Sequence, residues 1–331
     1  MRRRDFTIGL LLAARVRMVR AEELAKQRKV AIVIAAGPVV RINDPTSRAR
    51  HTFWEELRRL GDIAGQNLTV DRYSGEGRPE GYPDLAREVV NSSPDVIVAS
   101  TNAIAQAIRA VTGTMPVVWI GGDAIEAGLA GSLARPGANV TGVTVYPGAE
   151  FWGKRLQILK QAAPSVSKVA YLDLRWQLSA MGQEQRREAS RQLQISLVDA
   201  LLEEATRSEI QRVFVEIVRE QADAVLLSGS GDLLPFRKLI VGLAEKSRLP
   251  AMYPWREYAE ARGLMAYASD DRELFSRMAD DVHEILNGAK PGDIPIYRPT
   301  KFELLINLKA ARALGLTIPP SVLGLADEVI E

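Results

Sequence analysis

From residue 29 onward the chain alternates short runs rich in Val and Ile with stretches of helical periodicity. That alternation restricts the fold more than any single motif does. Near-continuous apolar runs lie at 29–37, 67–74, 94–100, 115–122 and 139–145. Such runs suit parallel strands covered on both faces, where no solvent face demands a polar residue at every second position. Helical patterns at 48–60, 81–91, 102–111 and, shorter, 128–134 fill the gaps. Strands that alternate with helices in this way predict βαβ units and a doubly wound α/β sheet.

The pattern then starts again. A helix over 151–162 leads to strands at 167–174, 194–201, 222–229 and 250–255, with helices at 181–192, 208–221 and 233–246 between them. Two blocks of about 110 residues are a usual size for two domains. After them come a short strand at 263–271, a helix over 272–286, the turn cluster Gly288-Ala289-Lys290-Pro291-Gly292-Asp293, a strand near 302–306 and a helix over 307–314. Pro319-Pro320 opens a last short helical turn. This tail is too small for a third domain, so its elements must complete the first two.

Charge and composition then exclude several classes of function. The net charge is +2, but residues 1–21 contribute +5, so the remainder carries −3. A slightly acidic body without a long basic run predicts no nucleic-acid binding. The basic leader opens MRRRDF, with the R-R-x-F order of twin-arginine signals, followed by a short apolar run over 7–14 and three further arginines. It reads either as a degenerate export signal over residues 1–28 or as an amphipathic start. Cysteine is absent and the two histidines, His51 and His283, have no second ligand of that kind nearby, so neither a metal nor a cofactor is expected. There is no G-x-S-x-G motif, and no histidine follows a strand. The absence of acid–base machinery favours binding over catalysis, so an enzyme is not expected.

In open α/β sheets ligands bind beyond the carboxyl ends of strands, close to helix N-termini. That rule selects loops at 35–40, 100–102, 121–123, 146–147, 173–176, 228–232 and 255–258. Ser100-Thr101-Asn102 offers hydroxyls and backbone N–H groups to a carboxylate, and equally fits an ordinary helix N-cap. Asp123, after two glycines, suits an ammonium group or an Asx turn. Ser228-Gly229-Ser230-Gly231-Asp232 lacks the lysine of a phosphate loop and reads better as a small-residue loop lining a cleft. Trp255-Arg256-Glu257-Tyr258 joins aromatic area to an arginine fork, as a small polar ligand would need or as a solvated surface would show. Trp176 either closes over a ligand or packs.

Several stretches resemble one family. GGDAIEAGLAGSLARPGANVTGVT, FWGKRLQILKQAAPSVSKVAYL, FWEELRRLGDIAGQNLTVDRYSGEG and the closing PTKFELLINLKAARALGLTIPPSVLGLADEVIE are similar to ABC-transporter substrate-binding proteins of the tryptophan/tyrosine-type group. The resemblance runs from about residue 29 to the end and is specific as a set. It implies a type I periplasmic-binding-protein fold: two doubly wound, Rossmann-like lobes joined by three crossovers that close on a solute by hinge motion. Lobe 1 would be 29–145 plus 264–290 and lobe 2 would be 146–263 plus 300–331. Crossovers are expected near Tyr146, 261–265 and 297–300.

The function so implied is capture of a small molecule, by family analogy an amino acid, and its delivery to an ABC permease by an exported, periplasmic, monomeric protein. The alternatives are a ligand sensor for a signalling partner and, third, a two-domain nucleotide-sugar-type transferase. Within this fold the strand-end loops place Thr101 and Asn102 at a ligand carboxylate, Asp123 and Asp173 at its polar or cationic end, and Ser230 and Trp255 on the opposite lobe. In the conspicuous RPGANVTG stretch, Arg135-Pro136-Gly137 makes a turn and Gly142 allows close backbone approach, both structural roles.

Overall fold

Strands form where the Val and Ile runs predict them. The first sheet holds β1 (Arg28–Ile34), β2 (Leu68–Ser74), β3 (Val96–Ala99), β4 (Val117–Gly121) and β5 (Val140–Thr144), all parallel, in the order β2-β1-β3-β4-β5. The structure is a computed structural model that describes residues 27–35, 37–43, 48–145, 148–178 and 180–331. The expected leader (apart from its last two residues) and the crossover residues Tyr146 and Pro147 therefore lie outside the described residues. Among those described, no helix is long and apolar enough to cross a membrane.

Both faces of this sheet are buried. Ala31 and Val33 of β1 enter one apolar cluster while Val30 and Ile32 enter the other. Helices α1 (Arg48–Arg59), α2 (Tyr82–Asn91) and α3 (Asn102–Val111) connect the strands. No helix forms over 128–134: turns occupy the segment, where Gly128 has φ +66° and Pro136 follows. Gly142 is the close approach that its sequence suggested. It stands opposite Trp119 in the β4–β5 register with φ +132°, and an added Cβ would overlap the Trp119 backbone.

The second sheet has seven strands, in the order β12-β11-β10-β9-β8-β6-β7. They are β6 (Lys168–Leu174), β7 (Ser196–Leu202), β8 (Ala224–Leu227), β9 (Ala251–Tyr253), β10 (Met265–Ser269), β11 (Phe302–Asn307) and β12 (Glu328–Ile330). Only the β10–β11 pair is antiparallel. Around it lie α4 (Ala149–Ala162), α5 (Ala180–Gln192), α6 (Arg207–Arg219), α7 (Arg237–Lys246), the short α8 (Arg256–Glu260), α10 (Leu308–Ala313) and α11 (Pro320–Leu323). The helix expected from 233 begins as a 3-10 turn, because Pro235 interrupts regular hydrogen bonding until Arg237.

The tail completes both lobes, with one boundary moved. The expected division gave 264–290 to lobe 1, but β10 pairs with β9 and β11 in the second sheet. The chain crosses after Ser269, and α9 (Asp271–Leu286) packs on the first lobe, putting Leu274, Met278 and Val282 into its core. The segment up to Tyr297 stays there: the Tyr297 N–H donates to the Gly142 carbonyl and its carbonyl accepts from Thr144 N, both at 2.8 Å. The chain then returns as β11. β12, a strand for which no expectation was drawn from the sequence, pairs with β11 at the sheet edge. The architecture is two parallel-sheet lobes of the type I periplasmic-binding kind, joined by three crossovers.

Candidate functional site between the lobes

A cleft of about 770 Å³ separates the two sheets, and the carboxyl ends of their strands line it. From the first lobe come residues after β3 and β4; from the second come the loops after β6, β8 and β9, with Asp270, Asp271 and Phe275 at the crossing. All six residues singled out from sequence, Thr101, Asn102, Asp123, Asp173, Ser230 and Trp255, line this one cavity. Ala35 also lines it, while Ala36, Tyr146 and Pro147 are outside the described residues.

Their side chains divide into committed and uncommitted. Thr101 caps α3, its Oγ1 accepting from Ile104 N at 3.3 Å. Asn102 Oδ1 accepts from the Trp119 indole N–H (3.2 Å) and from Gly122 N (3.0 Å), so it fixes the β4 loop from inside. Asp123 makes the Asx turn, accepting from Ile125 N (2.8 Å) and Glu126 N (3.0 Å). Asp173 is buried and accepts from the Tyr171 hydroxyl (2.9 Å), Leu174 N (2.8 Å) and Ser228. Burial still holds its carboxyl above the usual carboxylate range. By contrast, Ser230 Oγ and the Trp255 indole N–H are buried and meet no partner among the described residues.

Burial also shapes the electrostatics of the second-lobe wall. Asp232 is pushed up to about 6 by burial and by the neighbouring Asp173 charge, and it accepts from Gln177 Nε2 at 3.2 Å. Two carboxyl groups so close make the 228–232 loop a poor cradle for a diphosphate. Burial raises Glu257 and Asp271 too, and for Asp271 the charges of Glu257, Glu303 and Asp270 add to it. Arg256, which sequence offered as a ligand fork, is spent on structure: Nε and Nη2 grip Glu303 at 2.8 and 2.6 Å, and Nη1 reaches Glu328 at 2.6 Å.

Sequence reasoning missed the aromatic and cationic floor on the second lobe. Phe151, Trp152 and Arg155 of α4 and Arg186 of α5 all line the cleft. The signal available was the i, i+4 spacing of Phe151 and Arg155, which puts them on one helix face. Trp176, 42% exposed, stands at the rim. Neither histidine lines the cleft: His51 pairs with Glu55 at 3.0 Å and His283 with Asp62 at 2.7 Å. Among the described residues no cluster of His, Cys, Asp and Glu could hold a metal ion.

Comparison with known proteins agrees with this geometry. A family sequence model described as "ABC transporter substrate binding protein" matches residues 39–330. A curated relative from Clostridioides difficile (strain R20291), named "Tyrosine-binding protein", is 23% identical over 272 residues, covering 81% of this chain and 77% of the relative. A solved structure of a conserved domain protein from Vibrio cholerae O1 biovar El Tor superposes with a TM-score of 0.82 at 25% identity, over 92% of this chain and 100% of that one. The structure of an ABC domain from Streptococcus pneumonia in complex with L-Trp gives a TM-score of 0.79 at 21% identity, over 92% and 100% of the two chains.

Proposed function

The chain belongs to the ABC transporter substrate-binding protein family, and on that premise we propose that it captures an aromatic amino acid in the cleft and presents it to a permease. One observation carries the reading. The cleft is walled by strand-end loops of both lobes and holds buried, uncommitted polar atoms beside aromatic faces: Ser230 Oγ and the indole N–H groups of Trp152 and Trp255. A volume of about 770 Å³ accommodates a ligand of that size with room for water. The names of the relatives, one tyrosine-binding and one solved with L-Trp, support the same ligand class.

In this reading Ser230 and Trp255 touch the solute directly. Thr101, Asn102, Asp123 and Asp173 act first by fixing the loops, and only their remaining atoms are free for ligand. Glu257 and Asp271 line the cleft where an ammonium group would sit, and its positive charge would favour their ionised forms against the burial that raises them. Closure of the lobes removes water, strengthens these contacts and forms a composite surface for the permease. No bond is made or broken. The protein works as a monomer in the periplasm, to which the MRRRDF leader directs it.

A thermal-shift screen tests the function. L-tryptophan, L-tyrosine and L-phenylalanine are compared with sugars, nucleotides and short peptides. A ligand at about 100 times its Kd adds about 2.7 kcal/mol, which raises the melting temperature by roughly 5–10 °C at 2–4 °C per kcal/mol. Stabilisation by nucleotides with amino acids inert would overturn the reading. Cell fractionation tests export on its own; a chain recovered wholly in the cytosol contradicts it.

A further inference from the structure

Two guanidinium groups lie buried in the second-lobe floor with no acid to pair with. Arg155 is fully buried, and its Nη2 donates to the carbonyls of Leu227 (2.8 Å) and Met252 (3.2 Å). Its Nε and Nη1 meet no acceptor among the described residues. Arg186 is 4% exposed, with its guanidinium carbon 3.9 Å from the Tyr171 ring centroid and 5.5 Å from that of Trp152. Its Nη2 is likewise without an acceptor. Both side chains reach the cleft. Among the described residues neither forms a salt bridge.

Asp173, a carboxyl whose charged form Arg186 favours, is already held by Tyr171, Leu174 N and Ser228. Ring faces offset part of the cost of burying these cations. They do not replace an anion: Arg155 Nε and Nη1 and Arg186 Nη2 are left without an acceptor among the described residues, in a medium where an unpaired charge is costly. Unpaired N–H groups beside the edge-to-face rings of Trp152 and Tyr171 are complementary to an anion, and guanidinium matches carboxylate best, two bonds at a time.

We propose that Arg186, backed by Arg155, takes the carboxylate of the ligand on the second lobe, so that the cleft selects aromatic carboxylates from that side. This rests on the cleft being the ligand site. It reverses the polarity expected from sequence, which put the carboxylate at Thr101 and Asn102. Thr101 Oγ1 and Asn102 Oδ1 are engaged within the protein, while Arg155 Nε and Nη1 and Arg186 Nη2 meet no acceptor among the described residues.

Calorimetric titration with four probes tests it: L-tryptophan, indole-3-propionate, L-tryptophanamide and tryptamine, the last two lacking a carboxylate. The wild type is expected to prefer L-tryptophan over its amide by roughly 10- to 150-fold, the value of a charge-assisted hydrogen bond (about 1.5–3 kcal/mol). Arg186→Met should erase that preference, and Arg186→Lys should restore part of it. The ligand-free Arg186→Met protein should melt no lower than wild type, since an unpaired buried charge has been removed. An unchanged acid-over-amide preference in Arg186→Met overturns the proposal, as does a loss of binding that merely follows a lower melting temperature.

Gly229→Trp separates this from the underlying reading. Gly229 lines the cleft and a Cβ there meets nothing within 4 Å, so the indole can fill the cavity without backbone strain. L-tryptophan binding that survives Gly229→Trp removes the cleft as the site. Binding lost in Gly229→Trp, with the acid preference kept in Arg186→Met, overturns the arginine assignment alone. Failure of all four probes to bind overturns both.

Discussion

Asn102 holds the first-lobe wall together from one oxygen, and two substitutions separate that work from any contact with ligand. Oδ1 accepts from Trp119 Nε1 at 3.2 Å and from Gly122 N at 3.0 Å, and Trp119 is fully buried. Asn102→Ala leaves the indole N–H of the buried Trp119 without its acceptor in the protein. A stranded buried donor costs about 1–3 kcal/mol, and the lost Gly122 bond about 1 more. At roughly 2–4 °C per kcal/mol the melting temperature falls by about 4–16 °C. Asn102→Asp keeps both bonds and adds a negative charge in the first turn of α3, where the helix dipole favours it. Its melting temperature should stay within about 2 °C of wild type.

Differential scanning calorimetry of the ligand-free proteins at neutral pH reads the difference. Titration with L-tryptophan adds a second reading. With the carboxylate on Arg186, Asn102→Asp weakens binding by less than about threefold; a carboxylate seated at the α3 N-terminus would meet repulsion and lose more than about tenfold. An Asn102→Ala protein that melts with wild type, or an Asn102→Asp protein that melts as low as Asn102→Ala, refutes the assignment of Oδ1 as the pin of the loop.

Gly142→Ala forces a Cβ into the Trp119 backbone at φ +132°, so it should cost at least about 3 kcal/mol or prevent folding, read by denaturant titration. Arg256→Gln breaks a bidentate, largely buried grip on Glu303 and the bond to Glu328, and should cost about 2–3 kcal/mol while changing the Kd for L-tryptophan by less than about threefold. A large affinity loss at unchanged stability would return Arg256 to the ligand. Asp281 on α9 is fully buried, neither oxygen accepts a hydrogen bond among the described residues, Arg277 Nε stands 3.9 Å away, and burial still pushes the carboxyl up to about 7. Since its unfolded value is near 3.9, the native state binds the extra proton between about pH 4 and 7, so this group makes stability fall as pH rises through that window. Asp281→Asn should match wild type near pH 4 and exceed it by about 2–4 kcal/mol at pH 8; a gap that does not vary with pH contradicts this.

Strand positions were legible because buried parallel strands leave a signature that needs no partner to be read. The runs at 94–100 and 222–229 each contain the observed strand. The cleft loops followed from the carboxyl-end rule, which depends only on the order of elements. What escaped depends on pairing at a distance. β10 joined the second sheet because β9 and β11 sit beside it, a fact with no local trace. Arg155 looks in sequence like a surface arginine of an amphipathic helix. Its burial depends on carbonyls at Leu227 and Met252, 72 and 97 residues away. The Asx turn of Asp123 was legible from its place after two glycines, whereas Asp173 was legible only as a polar group at a strand end, not as an acceptor already filled by Leu174 N and Tyr171.

The central claim is that a solute is held, unaltered, between the two lobes. The direct measurement is to saturate the wild type and Gly229→Trp proteins with L-tryptophan, remove free solute, denature, and analyse what is released by mass spectrometry. One equivalent of intact L-tryptophan from wild type and none from Gly229→Trp is the predicted result. Equal release from both proteins, or recovery of a converted product, would contradict the account.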